Sequence, residues 1–125
     1  MDEATAAAIA RGGVIDITTT GRRSGLPRRT EIYFHTFDGE HYITGSPGRD
    51  RDWLANMTTN NHFVIHLKRE VLADLGALAT VITDPEVRRE IMLRAMTESW
   101  NFDETRVTEI DEWVAGAPLV RFTVG

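Results

Sequence analysis

Positive charge is concentrated in one glycine-rich stretch of the sequence, GRRSGLPRR. Arg22, Arg23, Arg28 and Arg29 stand within eight positions, with no acidic residue between them. Guanidinium groups bind phosphate and carboxylate through paired hydrogen bonds, and neighbouring glycines let backbone amides approach such a ligand. The stretch therefore predicts a site for an anionic ligand, although a solvated surface loop is the simpler alternative.

A second loop, SPGRDRD, carries Arg49 and Arg51. These arginines could extend the anion site, but Asp50 and Asp52 alternate with them along the chain. Because opposite charges so close in sequence can pair locally, we expect ion pairs within this loop.

The other reactive residue types do not form a recognisable catalytic or metal-binding pattern. His62 and His66 are four apart in an alternating segment, and on a strand that spacing separates them by about 13 Å. No Ser-His-Asp or Cys-His pattern is evident, and the absence of cysteine excludes disulfides, zinc-cysteine sites and iron-sulfur clusters. We therefore expect no metal site, identify no catalytic residue, and infer that a bound cofactor supplies the chemistry.

Length and composition indicate one globular domain over residues 1–125. The formal net charge is -5, and the acidity lies in the segment 84–112, where nine acidic residues stand against four basic ones. No apolar window approaches the roughly 18 residues of a membrane span, and no signal peptide is evident. These features predict a cytoplasmic protein without a membrane span, and the overall acidity disfavours nucleic acid as a partner.

The elements that must position the arginines are predicted from periodicity and turn residues. An alanine-rich helix ends at Gly12, and residues 14–20 alternate as a strand that leads into the arginine loop. The next strand is expected to begin near Thr30; if it has already begun at Arg28 and Arg29, these two side chains point to opposite faces. The Asp-Gly pair that follows is typical of a two-residue hairpin turn, which leads into the segment EHYITGS.

The second half of the chain predicts further strands and helices. A short helix carries Trp53 behind Asp50 as an N-cap, and HFVIHLK and DLGALATVIT follow as strands. TDPE then begins a helix, DETRVTEIDEWVAG forms a second one, and PLVRFTV is a last strand. Six strands with mostly short connections predict a mainly β fold with helices, built as an antiparallel barrel or curved sheet.

The chain resembles the deazaflavin-dependent nitroreductase family in four segments that follow one another in order, TTTGRRSGLPR, HYITGSPG, DWLANMTTNNHFVIHLK and ATVITDPEVRREI. The members of this family are split β-barrel oxidoreductases related to the pyridoxamine-phosphate-oxidase-like barrels. The likeness spans about residues 15–98. It implies a split β-barrel of about six largely antiparallel strands with short N-terminal, middle and C-terminal helices.

The resemblance implies an oxidoreductase that transfers a hydride from reduced coenzyme F-420, an 8-hydroxy-5-deazaflavin, to a small organic acceptor such as a quinone, an enone or a nitro compound. The coenzyme carries a phosphate and a glutamate tail, which suits an arginine-rich loop. Arg22 and Arg23 are the main candidates for binding the tail. The residues that match the family's coenzyme site are Gly21, Arg22, Arg23, Ser24, Gly25, Arg28, Gly45, Ser46, Gly48, Trp53 and Asn56.

The sequence gives fewer indications for the pocket of the hydride acceptor, and it leaves two alternative functions open. Trp100 and Phe102 are the expected wall of the acceptor pocket, where some relatives present tyrosines, so the resemblance alone does not imply nitroreduction. FMN could occupy the same barrel through its single phosphate, or the barrel could hold a lipid or another small ligand without redox chemistry. A homodimer is possible, because related barrels often pair.

Overall fold

Six strands of the computed structural model, which describes residues 1–125, form a closed barrel. The strands are β1 (Gly13–Thr20), β2 (Pro27–Phe37), β3 (Glu40–Thr44), β4 (His62–Lys68), β5 (Leu72–Val81) and β6 (Leu119–Val124). The helices are α1 (Glu3–Arg11), α2 (Asp52–Thr59), α3 (Pro85–Arg94), α4 (Glu104–Val107) and α5 (Ile110–Gly116), with a π-helical turn at Ala95–Ser99. The order around the barrel is β1-β2-β3-β6-β5-β4, and every neighbouring pair is antiparallel. The predicted mainly β fold with helices and an antiparallel barrel is thereby confirmed.

The β2–β3 hairpin forms at the Asp-Gly pair, as predicted. Asp38 and Gly39 both have positive φ, 53° and 79°, which is the conformation that a two-residue type I′ turn requires. Phe37 pairs with Glu40 directly across the turn. This register sets which β2 side chains face into the barrel.

The barrel interior is filled by the inward-facing side chains of all six strands. Ile17, Phe34, Ile65 and Phe122 are each at most 1% exposed. The ends of the barrel are covered by α1 through Ile9 and by α2 through two residues, Trp53 and Met57, which belong to the same core cluster. Helix α2 is therefore held against the barrel at the end where the arginine loop lies.

A second core forms between the outer side of β2, β3 and β6 and the C-terminal helices. Phe37, Tyr42 and Leu119 from the strands pack with Met92 from α3 and Trp113 from α5. We call α3, the π-helical turn, α4 and α5 the helical layer. No helix in the structure combines the length and the apolar character that a membrane crossing needs.

Three local predictions were wrong in detail. Strand β2 begins at Pro27, earlier than Thr30, because the barrel extends its pairing with β1 down to the Thr20–Pro27 pair. The segment DETRVTEIDEWVAG is divided into α4 and α5. Helix α2 is preceded by Arg51, whose side chain makes no cap hydrogen bond, so Asp50 is not its N-cap.

Candidate functional site

A cleft of about 680 Å³ opens beside the arginine loop. Its walls come from the β1–β2 loop, the first half of β2, the segment after β3 and the first turns of α2. Only three of its 19 lining residues are hydrophobic, so the cleft suits a polar or charged ligand. Of the residues matched to a coenzyme site, it is lined by Gly21, Arg22, Arg23, Ser24, Arg28, Gly45, Trp53 and Asn56.

Gly25, Ser46 and Gly48 are not among the residues that line the cleft. Gly25 shapes the loop instead: its φ is +72°, and its N–H donates to the Gly21 carbonyl at 2.8 Å. The Gly21 N–H donates to the Leu26 carbonyl, also at 2.8 Å. A Cβ on Gly21 would lie 2.6 Å from the Ser24 hydroxyl oxygen, so this turn has no room for a larger residue. The two glycines thus let the arginine loop close tightly.

The charge of the cleft is strongly positive. Six arginines line it against three acidic residues, which are Glu31, Asp50 and Asp52. The cationic character expected from the sequence therefore persists after folding, even though the protein as a whole carries a net charge of -5.

Arg22 is anchored to α2 by several hydrogen bonds. Its backbone N–H and its Nη1 both donate to the Asn56 Oδ1 at 3.1 Å, and its guanidinium lies 3.4 Å from the Asp52 carboxylate. Asn56 is 2% exposed and donates in turn to the Thr19 hydroxyl at 3.0 Å. Asn56 therefore ties β1, the arginine loop and α2 together, and Arg22 has part of its hydrogen-bonding capacity already occupied.

Arg23, Arg28 and Arg49 line the same cleft without a carboxylate within 4.0 Å. Arg29, one residue along β2, differs from Arg28 because it donates to the Asp16 carboxylate at 2.9 Å. Both residues line the cleft, but only Arg29 is paired with a carboxylate. Arg51 has no carboxylate within 4.0 Å either, so four cleft arginines are left with their charge available to a ligand.

Arg51 lies across Gly45, and the ion pairs expected within the SPGRDRD loop do not form. Asp52 pairs with Arg22 instead, and the Arg51 Nη1 donates to the Arg49 carbonyl at 3.3 Å. Burial, together with the neighbouring charge of Arg49, lowers the pKa of Arg51. Arg49 and Arg51 therefore both add positive charge to the cleft, without a carboxylate that neutralises it.

An aromatic side chain that the sequence did not single out forms part of the cleft wall. Tyr33 of β2 lines the cleft, and its ring centroid lies 6.0 Å from that of Trp100. Trp100 and Phe102 themselves stack on each other at 5.4 Å in the helical layer and do not line the cleft. Tyr33 is four residues after Arg29 on β2, so the two side chains lie on the same face of the strand. This spacing could have indicated Tyr33 only once the start of β2 was known.

Comparison with known proteins identifies both a family and a fold. A sequence model of the F420H(2)-dependent quinone reductases matches residues 3–111. Among solved structures, a conserved hypothetical protein from Mycobacterium tuberculosis aligns with a TM-score of 0.72 at 16% identity, covering 99% of this chain and 81% of that one. A putative pyridoxamine 5′-phosphate oxidase from Listeria innocua aligns with a TM-score of 0.67 at 10% identity, covering 98% and 91%. A structure described as an F420-H2 dependent reductase aligns with a TM-score of 0.57 at 21% identity, covering 90% and 94%.

Proposed function

The chain belongs to the F420H(2)-dependent quinone reductase family, and from this we propose that it is an oxidoreductase that binds reduced coenzyme F-420 in the arginine-lined cleft. When bound, the coenzyme supplies a hydride for a small organic acceptor, of which a quinone is the first candidate. The observation that carries the placement is the group of arginines left without carboxylate partners in one polar cleft.

The residues of the cleft fit an anionic coenzyme tail. Arg23, Arg28 and Arg49 offer unpaired guanidinium groups, and each charge-assisted hydrogen bond contributes about 1.5 to 3 kcal/mol. Arg22 would hold the loop in place through Asn56, and its remaining guanidinium N–H groups would be free to bind the ligand. We therefore assign the tail to Arg23, Arg28 and Arg49, with Arg22 in a mainly positioning role.

We assign the ring end of the coenzyme to the part of the cleft that is formed by the segment after β3 and the start of α2. Gly45 has no side chain there, so the Arg51 guanidinium lies directly against its backbone, and Trp53 is 8% exposed at the start of α2. Tyr33 brings a phenol hydroxyl to the cleft wall, so it is the residue we propose to hold a proton for the reduced acceptor. Ser46, Gly48, Trp100 and Phe102 stay predictions as ring or acceptor contacts.

The test is a tryptophan-fluorescence titration with reduced coenzyme F-420, combined with a steady-state assay that follows its oxidation by a soluble quinone. We expect Arg23→Ala and Arg28→Ala each to raise the dissociation constant by about tenfold to a hundredfold, as expected when one charge-assisted bond is lost. Arg89→Ala is the matched control, because Arg89 pairs with Asp111 on the helical layer. Equal affinities for all three variants would refute the assignment of the tail to the cleft.

The same titration separates the rival cofactor and the rival function. FMN carries a phosphate and would use the same arginines, so tighter binding of FMN than of F-420 would favour the FMN-binding alternative. Ligand binding without quinone-dependent turnover would favour a non-redox barrel. We further propose a homodimer, which sedimentation at several protein concentrations tests.

A further inference from the structure

Three side chains on the outer face of the barrel form a hydrogen-bonded series that the coenzyme site does not use. The Thr18 Oγ1 lies 2.6 Å from the His66 Nε2, and the His66 Nδ1 lies 2.6 Å from the Asp74 Oδ1. The three residues belong to the adjacent strands β1, β4 and β5. A hydroxyl, an imidazole and a carboxylate in this order are the groups of an activated nucleophile.

The surroundings determine the direction of the hydrogen bonds. A carboxylate only accepts, so the Nδ1 of His66 donates to Asp74, and the neutral imidazole then presents its Nε2 as an acceptor for the Thr18 hydroxyl. His66 is 9% exposed, which fixes the ring, while Thr18 is half-buried and Asp74 is exposed. The order of donors is therefore the one that draws the proton away from the Thr18 oxygen.

A positively charged residue stands opposite Thr18 on the neighbouring strand β2. Thr18 pairs across the strands with Arg29, whose Nε donates to Asp16 and whose side chain is 56% exposed. The backbone of Thr18 lies in strand pairs on both sides, with β2 and with β4. Arg29, which also lines the cleft, is thus the cationic residue directly across from Thr18 on the neighbouring strand.

We propose that Thr18, His66 and Asp74 form a second reactive site, at which Thr18 accepts an acyl group from activated esters. The Thr18 Oγ1 forms a bond to the acyl carbon while its proton passes to the His66 Nε2, and the carbonyl oxygen becomes an oxyanion beside Arg29. The carbonyl reforms as the alcohol or phenol leaves with the proton from His66. Water then cleaves the acyl-threonine to the free acid and restores the hydroxyl, so the reaction needs no oxidant or reductant.

The site's composition limits the substrates. Because a side chain rather than a pair of backbone N–H groups faces the oxyanion, and because threonine is more hindered than serine, only esters with good leaving groups are expected to react. This inference is independent of the proposed coenzyme, and its assay uses protein without any coenzyme added.

The experiment measures hydrolysis of p-nitrophenyl acetate by the purified chain, with mass spectrometry of the protein quenched during the reaction. We expect an acetyl group on Thr18 and a loss of about a hundredfold in rate for Thr18→Ala, the range typical of a lost base-assisted step. Thr18→Ser should retain or increase the rate. Asp74→Asn should reduce it, because the exchanged amide no longer fixes the histidine tautomer.

Two exposed residues provide matched controls. Thr80 of β5 and His62 of β4 are exposed and have no partner in this hydrogen-bonded series. Thr80→Ala and His62→Asn should therefore hydrolyse the ester at the parental rate. A parental rate in Thr18→Ala, or acetyl groups found only on lysine or on His62, would overturn the proposal.

Discussion

The arginines of the cleft and the arginines of the helical layer are used in opposite ways. In the helical layer, Arg89 pairs with Asp111, and Arg94 with Asp38 at 2.7 Å. Arg88 donates to three main-chain carbonyls, at the ends of β5 and α5. Each of these guanidinium groups is occupied by a partner from the chain itself.

In the cleft, by contrast, carboxylate partners are missing for four arginines. Arg23, Arg28, Arg49 and Arg51 have no carboxylate within 4.0 Å, although the chain has more acidic than basic residues. Arg22 is intermediate between the paired and the unpaired arginines, because Asn56 and Asp52 accept hydrogen bonds from part of its guanidinium group. Availability of the guanidinium, rather than the number of arginines, therefore distinguishes a binding region from a structural one.

The largest expected effect comes from removing a structural arginine. The Arg88 Nε donates to the Val114 carbonyl at 2.8 Å and its Nη1 to the Ile82 carbonyl at 2.9 Å, while its Nη2 contacts the Ala117 carbonyl. Val114 and Ala117 lie at the end of α5, where helix carbonyls lack partners within the helix. Arg88→Met should lower the free energy of unfolding by about 4 kcal/mol, measured by urea denaturation.

The comparison predicts a second outcome for the same variant. Coenzyme affinity at a temperature where the variant is folded should equal that of the parent protein. Arg89→Met, whose pair with Asp111 is exposed, should cost at most about 1 kcal/mol. If Arg88→Met weakened binding while leaving stability intact, the division between the two regions would be wrong.

A buried histidine between the cleft and the helical layer predicts that the stability of the protein depends on pH. His35 of β2 is 2% exposed, its Nδ1 lies 2.6 Å from the Ser99 Oγ, and its Nε2 has no hydrogen-bond partner. Burial lowers the pKa of His35 from 6.5 to about 4. Between these values the unfolded chain binds more protons than the folded one, so the free energy of unfolding falls by about 3 kcal/mol as the pH decreases through this window.

The measurement is urea unfolding at about pH 7 and about pH 4.5 for the parent and for His35→Phe. The phenyl ring cannot be protonated, so the variant should lose less stability on acidification than the parent. Carboxylates such as Asp16, whose pKa is lowered chiefly by its hydrogen bond with Lys68, contribute the same background to both proteins. Identical losses in the two proteins would exclude His35 as the source.

The fold was largely predictable because it depends on local patterns. Alternating residues predicted β1 and β4, and the Asp-Gly pair predicted the β2–β3 hairpin. The closure of the barrel through the β1–β4 and β5–β6 pairs could not be predicted from the sequence, because these pairs join segments that are far apart in the chain. The early start of β2 at Pro27 comes from pairing with β1 that continues down to the Thr20–Pro27 pair, which residue types alone did not indicate.

The candidate site was predictable in residue type but not in the assignment of partners. Arginines in a tight glycine loop indicated an anion site, yet Arg22 and Arg23 were indistinguishable as sequence neighbours. They differ because Asn56, 34 residues away, accepts from Arg22 alone. The Thr18–His66–Asp74 series was missed for the same reason, since Thr18 and His66 are 48 residues apart.

The smallest expected effect tests the comparison at one glycine of the cleft. A Cβ on Gly45 would lie 2.6 Å from the Arg51 Nη2 and 3.0 Å from its Cζ, so Gly45→Ala must displace the guanidinium. The displaced group is the free end of a flexible side chain, so stability should change by less than about 0.5 kcal/mol. Coenzyme affinity should fall by about tenfold if Arg51 contributes to the cleft.

Gly76→Ala, with no atom near its Cβ position, is the control and should change neither stability nor coenzyme affinity. In an Arg51→Ala background the Gly45→Ala change should have no further effect on affinity, because the group that it displaces is gone. A tenfold loss that persisted in that background would mean that the methyl group blocks the ligand directly, and that Arg51 belongs with the structural arginines rather than with the binding ones.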